Sequence, residues 1–166
     1  LFSTLLNMFG NLYKCDSVDA IPLPNGNVKL KYKSRTGNLR SKHLANILNG
    51  GKFYLSKNNF ATAYNFFDTY STYTQPSDNM LSKAACWATF SSYKLGQHAN
   101  TLKYIDTAFD VVGDSDGAVL QEYKCRSHQA LNDEKAYEED LLKGVRKYPD
   151  HDYFFVNLTD VYCEKR

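Results

Sequence analysis

Long apolar runs are missing from this sequence: no stretch approaches the roughly 20 residues that a membrane-spanning helix requires. We therefore expect a soluble chain without membrane insertion. Cysteine is also sparse, with four residues that show no close spacing, which argues against a disulfide framework and favours free thiols. A net charge of +2 is too small to indicate a nucleic-acid partner.

Signatures of catalysis are absent as well. The chain has no phosphate-binding glycine loop, no Gly-x-Ser-x-Gly and no His-Glu-x-x-His. Cys125-x-x-His128 could place two metal ligands on one helical face, with His98, His151 and Cys163 as further candidates, but their spacing is not that of a structural zinc site. We predict no catalytic residue, no metal and no cofactor, and hence no enzyme.

One segment carries a helix-turn-helix pattern. It reads Ile47-x-x-Gly50-Gly51-x-x-Tyr54, then Ala63-x-x-x-Phe67, then Pro76. Residues spaced by three or four share one face of a helix, and Gly51 and Ala63 are small where two such helices would cross. The pattern resembles the tetratricopeptide repeat, in which Trp-x-x-Leu-Gly-x-x-Tyr precedes Ala-x-x-x-Phe and Pro within 34 residues.

The pattern recurs along the chain. A second copy reads Ala85-x-x-Ala88-Thr89-x-x-Ser92, followed by Thr101-x-x-x-Ile105, and a last first-helix copy reads Phe155-x-x-Leu158-Thr159-x-x-Tyr162. In the third copy, Leu120-x-x-Tyr123 with Ser127 precedes Tyr137-x-x-x-Leu141. This copy requires one extra residue in the turn at Asn132-Asp133, which leaves its register open by one residue.

The resemblance implies an all-α fold, a right-handed α-solenoid of about three helix pairs plus a C-terminal helix. We place a repeat domain at 38–166, with units near 44–77, 82–115 and 117–151 and the last helix at 152–166, after a leader at 1–37. The alternative is an ordinary helical bundle with the same periodicity. The units are similar in style to bacterial repeat proteins that are often exported to the periplasm or cell surface, although a cytoplasmic location stays open. The first residue, Leu1, leads us to expect a processed or trimmed product.

The leader has two parts. Residues 1–13 carry apolar side chains at helical spacing and predict an amphipathic helix that caps the first repeat. Residues 28–33 alternate between apolar side chains and lysine, and Asn25-Gly26 is typical of a tight turn, so we predict a short β-hairpin. Pro22 and Pro24 weaken its first strand, which makes an extended loop the alternative.

Charged residues cluster in two places. The basic set is expected mainly to protect the edge of the predicted hairpin, with an acidic or phosphate-bearing partner as the alternative. It comprises Lys29, Lys31, Lys33, Arg35, Arg40, Lys42 and His43. The acidic run Glu138, Glu139 and Asp140 is predicted to face solvent.

The resemblance implies a function, which is protein binding by a non-catalytic scaffold. In such repeat arrays the exposed stripe of each first helix lines a concave groove that receives a peptide or protein segment. Carried onto this sequence, the groove comprises Asn49, Lys52, Leu55, Lys83, Cys86, Trp87, Phe90, Tyr93, Lys94, Glu122, Arg126, Tyr153, Asn157 and Asp160. Some repeat domains of this kind bind the C-terminal carboxylates of chaperones with Lys, Arg and Asn side chains on their first helices. Of the residues at the corresponding positions here, only Lys52 suits such binding, which disfavours this subtype.

Trp87, Phe90 and Tyr93 form the predicted aromatic centre of this groove, since aromatic residues and Arg dominate binding energies. Two alternatives stay open. The first is that Trp87 and Phe90 pack as core. The second is that the three rings form a stacking platform for a carbohydrate or small ligand. The last helix is rich in apolar residues, and we expect one of its faces to stay partly exposed and to support self-association.

Overall fold

The computed structural model describes residues 2–164, and every regular element within that range is helical. Leu1, Lys165 and Arg166 lie outside the described residues, and with them the outermost parts of the predicted first and last helices. The helices are α1 Phe2–Asp19, α2 Lys33–Ser56, α3 Phe60–Tyr73, α4 Leu81–Lys94, α5 His98–Ala108, α6 Asp114–Ala130, α7 Glu134–Lys147 and α8 Asp152–Glu164, with a 3-10 turn at Phe109–Val111 after α5.

The chain divides into two compact units, Leu1–Leu81 and Ser82–Arg166. The first unit contains α1 to α3, and the second contains nearly all of α4 and the helices that follow it. The all-α prediction is therefore confirmed. Helix α2 begins at Lys33, so it is longer than the first helix of the predicted unit and runs across the predicted boundary between residues 37 and 38.

Three helix hairpins close with the same three-residue turn. In each turn the middle residue has a positive φ, at 55° in Asn58, 68° in Gly96 and 57° in Asn132, a conformation that Asn and Gly adopt most readily. The next residue donates its N–H to a carbonyl five positions earlier, which satisfies an orphan carbonyl of the ending helix. These bonds run from Asn59 N to Tyr54 O (3.0 Å), from Gln97 N to Ser92 O (2.9 Å) and from Asp133 N to His128 O (2.9 Å).

The shared turn corrects the register of the third hairpin. Because Tyr54, Ser92 and His128 accept equivalent bonds, they occupy the same position in the three first helices. The turn at Asn132-Asp133 therefore holds no extra residue. Instead the first-helix pattern lies one residue further along, at Gln121-x-x-x-Cys125-x-x-His128, and the sequence-based alignment on Leu120 and Tyr123 is wrong by one residue.

With this register, equivalent positions share burial. The small position of the first helix is held by Gly51, Thr89 and Cys125, and all three are buried. The facing positions of the second helices are buried in all three hairpins: Ala63, Thr101 and Tyr137, then Phe67, Ile105 and Leu141. Within the second hairpin, the buried hydroxyls of Ser92 and Thr101 lie 3.1 Å apart. A repeated helix-hairpin architecture follows from these matched positions.

Helix α1 packs against α2 and α3, as predicted for the N-terminal helix. Phe9 is 1% exposed and its ring centroid lies 5.6 Å from that of Tyr73. Further along, Asp16 forms an ion pair with Arg40 and accepts a hydrogen bond from Thr36 Oγ1 at 2.6 Å. Arg40 is therefore a buried structural residue, so its predicted place in an exposed basic set is wrong.

The segment between α1 and α2 is a loop, so the predicted β-hairpin is not present in the described residues. The tight turn does form, because Gly26 has φ 78° and donates its N–H to Leu23 O at 2.8 Å. No ladder extends from it. Pro22 and Pro24 lack the N–H groups that a ladder needs, and the N–H groups of Lys31 and Tyr32 bind the Asp19 carboxylate at 3.0 and 2.8 Å.

Asp140 also departs from its prediction. It was expected to face solvent, but it is only 2% exposed. Its carboxylate lies 3.0 Å from Lys143 Nζ and 3.5 Å from His128 Nε2, and its carbonyl accepts a 2.9 Å bond from Gln121. A buried carboxylate is tolerable only with such partners, so Asp140 is a structural link between α6 and α7.

Candidate functional site

In the second unit, five of the predicted groove residues on three first helices take part in neighbouring contacts. Tyr93 lies on α4, Glu122 and Arg126 lie on α6, and Tyr153 and Asn157 lie on α8. These are the alternate helices of the second unit. The contacts among them fall into an aromatic stack, a charge network and a buried tyrosine pair.

The aromatic stack joins α4 to α6. The rings of Tyr93 and Tyr123 lie 3.8 Å apart between centroids, at an interplanar angle of 14°. His98 meets Tyr93 edge-on, with centroids 6.2 Å apart. Burial raises the pKa of both tyrosines, so their hydroxyls stay neutral. Each tyrosine is only partly buried, which leaves part of the pair open to a partner.

The charge network centres on Glu122. Its two carboxylate oxygens lie 2.7 Å from Arg126 Nε and 2.8 Å from His151 Nε2. Burial opposes the charge of Glu122, but hydrogen bonds from His151 and Arg126 outweigh it and lower the pKa of Glu122. The guanidinium carbon of Arg126 lies 4.6 Å from the ring centroid of Tyr153. Arg126 is thus held between a carboxylate and an aromatic face while its side chain stays 44% exposed.

The tyrosine pair lies beneath this network. Tyr137 donates its hydroxyl to Asn157 Oδ1 at 3.2 Å, and Asn157 Nδ2 donates to the Tyr153 carbonyl at 2.7 Å. The Tyr153 hydroxyl is buried without a hydrogen-bond partner. Burial, followed by the neighbouring Tyr137, raises the pKa of Tyr153 well above its usual range. The Tyr137–Asn157 bond thus links α7 to α8 beside the ring on which Arg126 rests.

The other predicted groove residues lie around or away from this network. Trp87 and Phe90 are half-buried on α4, and Lys94 Nζ lies 5.5 Å from the Phe90 centroid. Cys86 is also half-buried, whereas Lys83 and Asp160 are exposed. In the first unit, Asn49 and Lys52 are exposed on α2 and Leu55 is half-buried.

Sequence reasoning missed two members of this site. Tyr123 was assigned to the packing face because the third register was one residue off. It occupies the position equivalent to Trp87, and aligning Asn132 with Asn58 and Gly96, residue types that readily adopt a positive φ, would have corrected the alignment. His151 was considered only as a metal ligand. It lies just before α8, and its contact with Glu122, 29 residues away, has no sequence signal.

Reactive groups are not prominent in this unit. Burial raises the pKa of Cys86, and burial followed by the Asp140 charge raises the pKa of Cys125 to about 12. No group of three or more His, Cys, Asp or Glu side chains suited to a metal ion occurs within residues 2–164. Over the same range, every helix is too short or too polar to cross a membrane.

Comparisons with known proteins assign no family to this chain. No protein-family model matches the sequence, and neither the curated proteins nor the solved structures contain a match.

Proposed function

We propose that this chain is a tetratricopeptide-like, non-catalytic scaffold that binds a peptide or protein segment on the first-helix face of its second unit. The observation that carries this proposal is the stack of Tyr93 on Tyr123 beside the network in which Arg126 contacts Glu122 and the Tyr153 ring. It supplies partly exposed aromatic rings and an ordered Arg, the residue types that dominate binding energies at interfaces.

The ordering of Arg126 supports a binding role. A free arginine side chain loses rotamer entropy when a partner fixes it, at a cost of about 1 kcal/mol. Here Glu122 and the Tyr153 ring already hold the guanidinium, and His151 holds Glu122 in turn. A partner would therefore meet a group that is already oriented. The raised pKa values of the neighbouring tyrosines and thiols suit recognition better than nucleophilic chemistry.

A carbohydrate or small ligand is the alternative, and the geometry favours it less. A sugar platform requires open aromatic faces, but one face of Tyr93 is covered by Tyr123 and Lys94 lies over Phe90. Trp87, the single tryptophan of the chain, serves as the optical probe for either ligand class.

The test is selection of binding peptides from a random displayed library, followed by affinity measurement with site variants. Tyr93→Ala and Arg126→Ala should each weaken a selected peptide about tenfold or more, since truncating a hot-spot residue costs about 2 kcal/mol or more. Matched controls are Tyr13→Ala, which is exposed on α1, and Arg146→Ala, which is exposed on α7. These two should leave affinity unchanged.

Equal affinity of the site variants and the controls, with helical circular dichroism preserved in all four, would move binding to another surface. Peptide selection that yields no binder, together with a Trp87 fluorescence response to soluble oligosaccharides, would favour the sugar alternative.

A further inference from the structure

The first unit contains an apolar hollow, of about 620 Å³, that the proposed peptide-binding face does not use. It lies between the end of α1 and the loop at residues 20–32. Its apolar lining includes Val18, Ile21 and Leu23, which are 67%, 63% and 47% exposed. Exposed apolar side chains that collect around one concavity typically mark an interaction site, and this volume is typical of small-molecule sites.

Three lysines also line the hollow: Lys14, Lys29 and Lys31. Among the ion pairs of the described residues, none involves the ammonium groups of these lysines. Lys31 Nζ lies 5.2 Å from the centroid of the Tyr32 ring. From the sequence, the loop lysines were predicted to protect a strand edge. Because the loop contains no strand, there is no edge for them to protect, and a negatively charged ligand becomes the better explanation.

One carboxylate, Asp19, also lines the hollow. Its two oxygens accept the N–H groups of Lys31 at 3.0 Å and Tyr32 at 2.8 Å. These hydrogen bonds occupy the carboxylate and hold the returning end of the loop against α1. Asp19 therefore shapes the hollow and leaves the lysine charge in excess there.

We propose that this hollow binds a fatty acid, with the acyl chain on Val18, Ile21 and Leu23 and the carboxylate near Lys29 and Lys31. The apolar lining removes the chain from water, and the lysine ammonium groups match a compact anionic head. A single hollow of small-molecule size fits one acyl chain better than a folded partner.

Cys15 supplies the assay, because it lines the hollow and is exposed. Cys163 is exposed on α8 in the second unit and serves as the internal control. N-ethylmaleimide alkylation of both thiols is followed by peptide mass spectrometry, with dodecanoate kept below its micelle-forming concentration. At nine-tenths occupancy, dodecanoate should slow alkylation of Cys15 about tenfold, since only the free hollow reacts, and should leave Cys163 unchanged.

Two comparisons test the charge requirement. Dodecyltrimethylammonium has a tail of nearly the same length with a positive head and should bind about tenfold more weakly or worse. The double variant Lys29→Glu/Lys31→Glu should weaken dodecanoate to a similar extent. The matched control Lys42→Glu/Lys57→Glu carries the same charge change at exposed positions outside the hollow and should protect Cys15 like the unmodified chain.

Equal protection by both amphiphiles, parallel protection of Cys163, or no protection by dodecanoate would each overturn the proposal. Vesicles containing phosphatidylglycerol provide a further arm. If such vesicles protect Cys15 while monomeric dodecanoate does not, the loop contacts a membrane surface and the fatty-acid assignment is wrong.

Discussion

The close crossing of α2 and α3 gives the sharpest test of the repeat architecture. Gly51 lies in the C-terminal part of α2, and a Cβ added there would lie 2.5 Å from Cε1 and 2.8 Å from Cδ1 of Phe67. The Phe67 ring is fully buried. Gly37 lies in the same helix, but a Cβ added there meets no atom within 4 Å. The two glycines therefore differ in packing and share a helical backbone.

Alanine at either position gains the same intrinsic helix preference, about 1 kcal/mol relative to glycine. Gly37→Ala should therefore stabilise the chain by about 1 kcal/mol. Gly51→Ala adds an overpacking cost of about 1 to 3 kcal/mol, so its net effect ranges from about neutral to about 2 kcal/mol destabilising. Subtracting the stability change of Gly37→Ala from that of Gly51→Ala removes the helix preference and leaves the packing cost.

The assay is urea unfolding followed by far-ultraviolet circular dichroism. An unchanged slope with denaturant, in both variants, shows that the midpoints report stability. We expect Gly51→Ala to unfold at lower urea than Gly37→Ala by an amount equal to about 1 to 3 kcal/mol. If Gly51→Ala is stabilised as much as Gly37→Ala, the helices do not cross closely at Gly51 and the proposed equivalence of the small positions fails.

Three further predictions concern other parts of the chain. The Thr36 hydrogen bond, followed by Arg40, lowers the pKa of Asp16 despite the opposing effect of burial. The ionised Asp16 carboxylate therefore stabilises the fold above its unfolded pKa of about 3.9, and this stabilisation is lost as pH falls through the lower folded pKa. Urea titrations should show this acid loss of stability in the native chain but not in Asp16→Asn. Because the pKa of Cys125 is raised to about 12, maleimide should modify this thiol only on unfolding, and modification in folded protein would contradict its burial. Phe155 is 65% exposed on α8, so light scattering should show self-association that Phe155→Ser reduces, and a monomer at high concentration in the native chain would count against it.

Local patterns explain why much of the helical framework was predictable. The spacing of Ile47, Gly51 and Tyr54 reports a single helix face, because residues three and four apart are neighbours there. The turn signals are similarly local, since Asn59 accepts a hydrogen bond from Thr62 N at 3.1 Å and Asp133 accepts one from Ala136 N at 3.1 Å. Such caps require only a few adjacent residues, so a sequence displays them directly.

Turn chemistry would also have settled the third register. A pattern of apolar and small residues tolerates a slip of one position when, as in α6, polar Gln121 occupies a buried place. The positive φ of Asn132 is more restrictive, because few residue types adopt it readily. Aligning Asn58, Gly96 and Asn132 gives Tyr123 the same repeat position as Trp87. The same alignment would have placed Tyr123 among the predicted groove residues.

The charged partners of the molecule have no comparable local signal. Arg40 pairs with Asp16 across 24 residues, and His151 binds Glu122 across 29. Each of these charges, viewed alone in the sequence, fits an exposed surface, since ionised side chains are mostly exposed unless they are paired. Their pairing depends on which helices pack together. The same holds for the candidate site. Its aromatic residues could be predicted from helical spacing. The orientation of Arg126, however, depends on His151 through Glu122, and His151 reaches Glu122 only because α6 packs against the residues before α8.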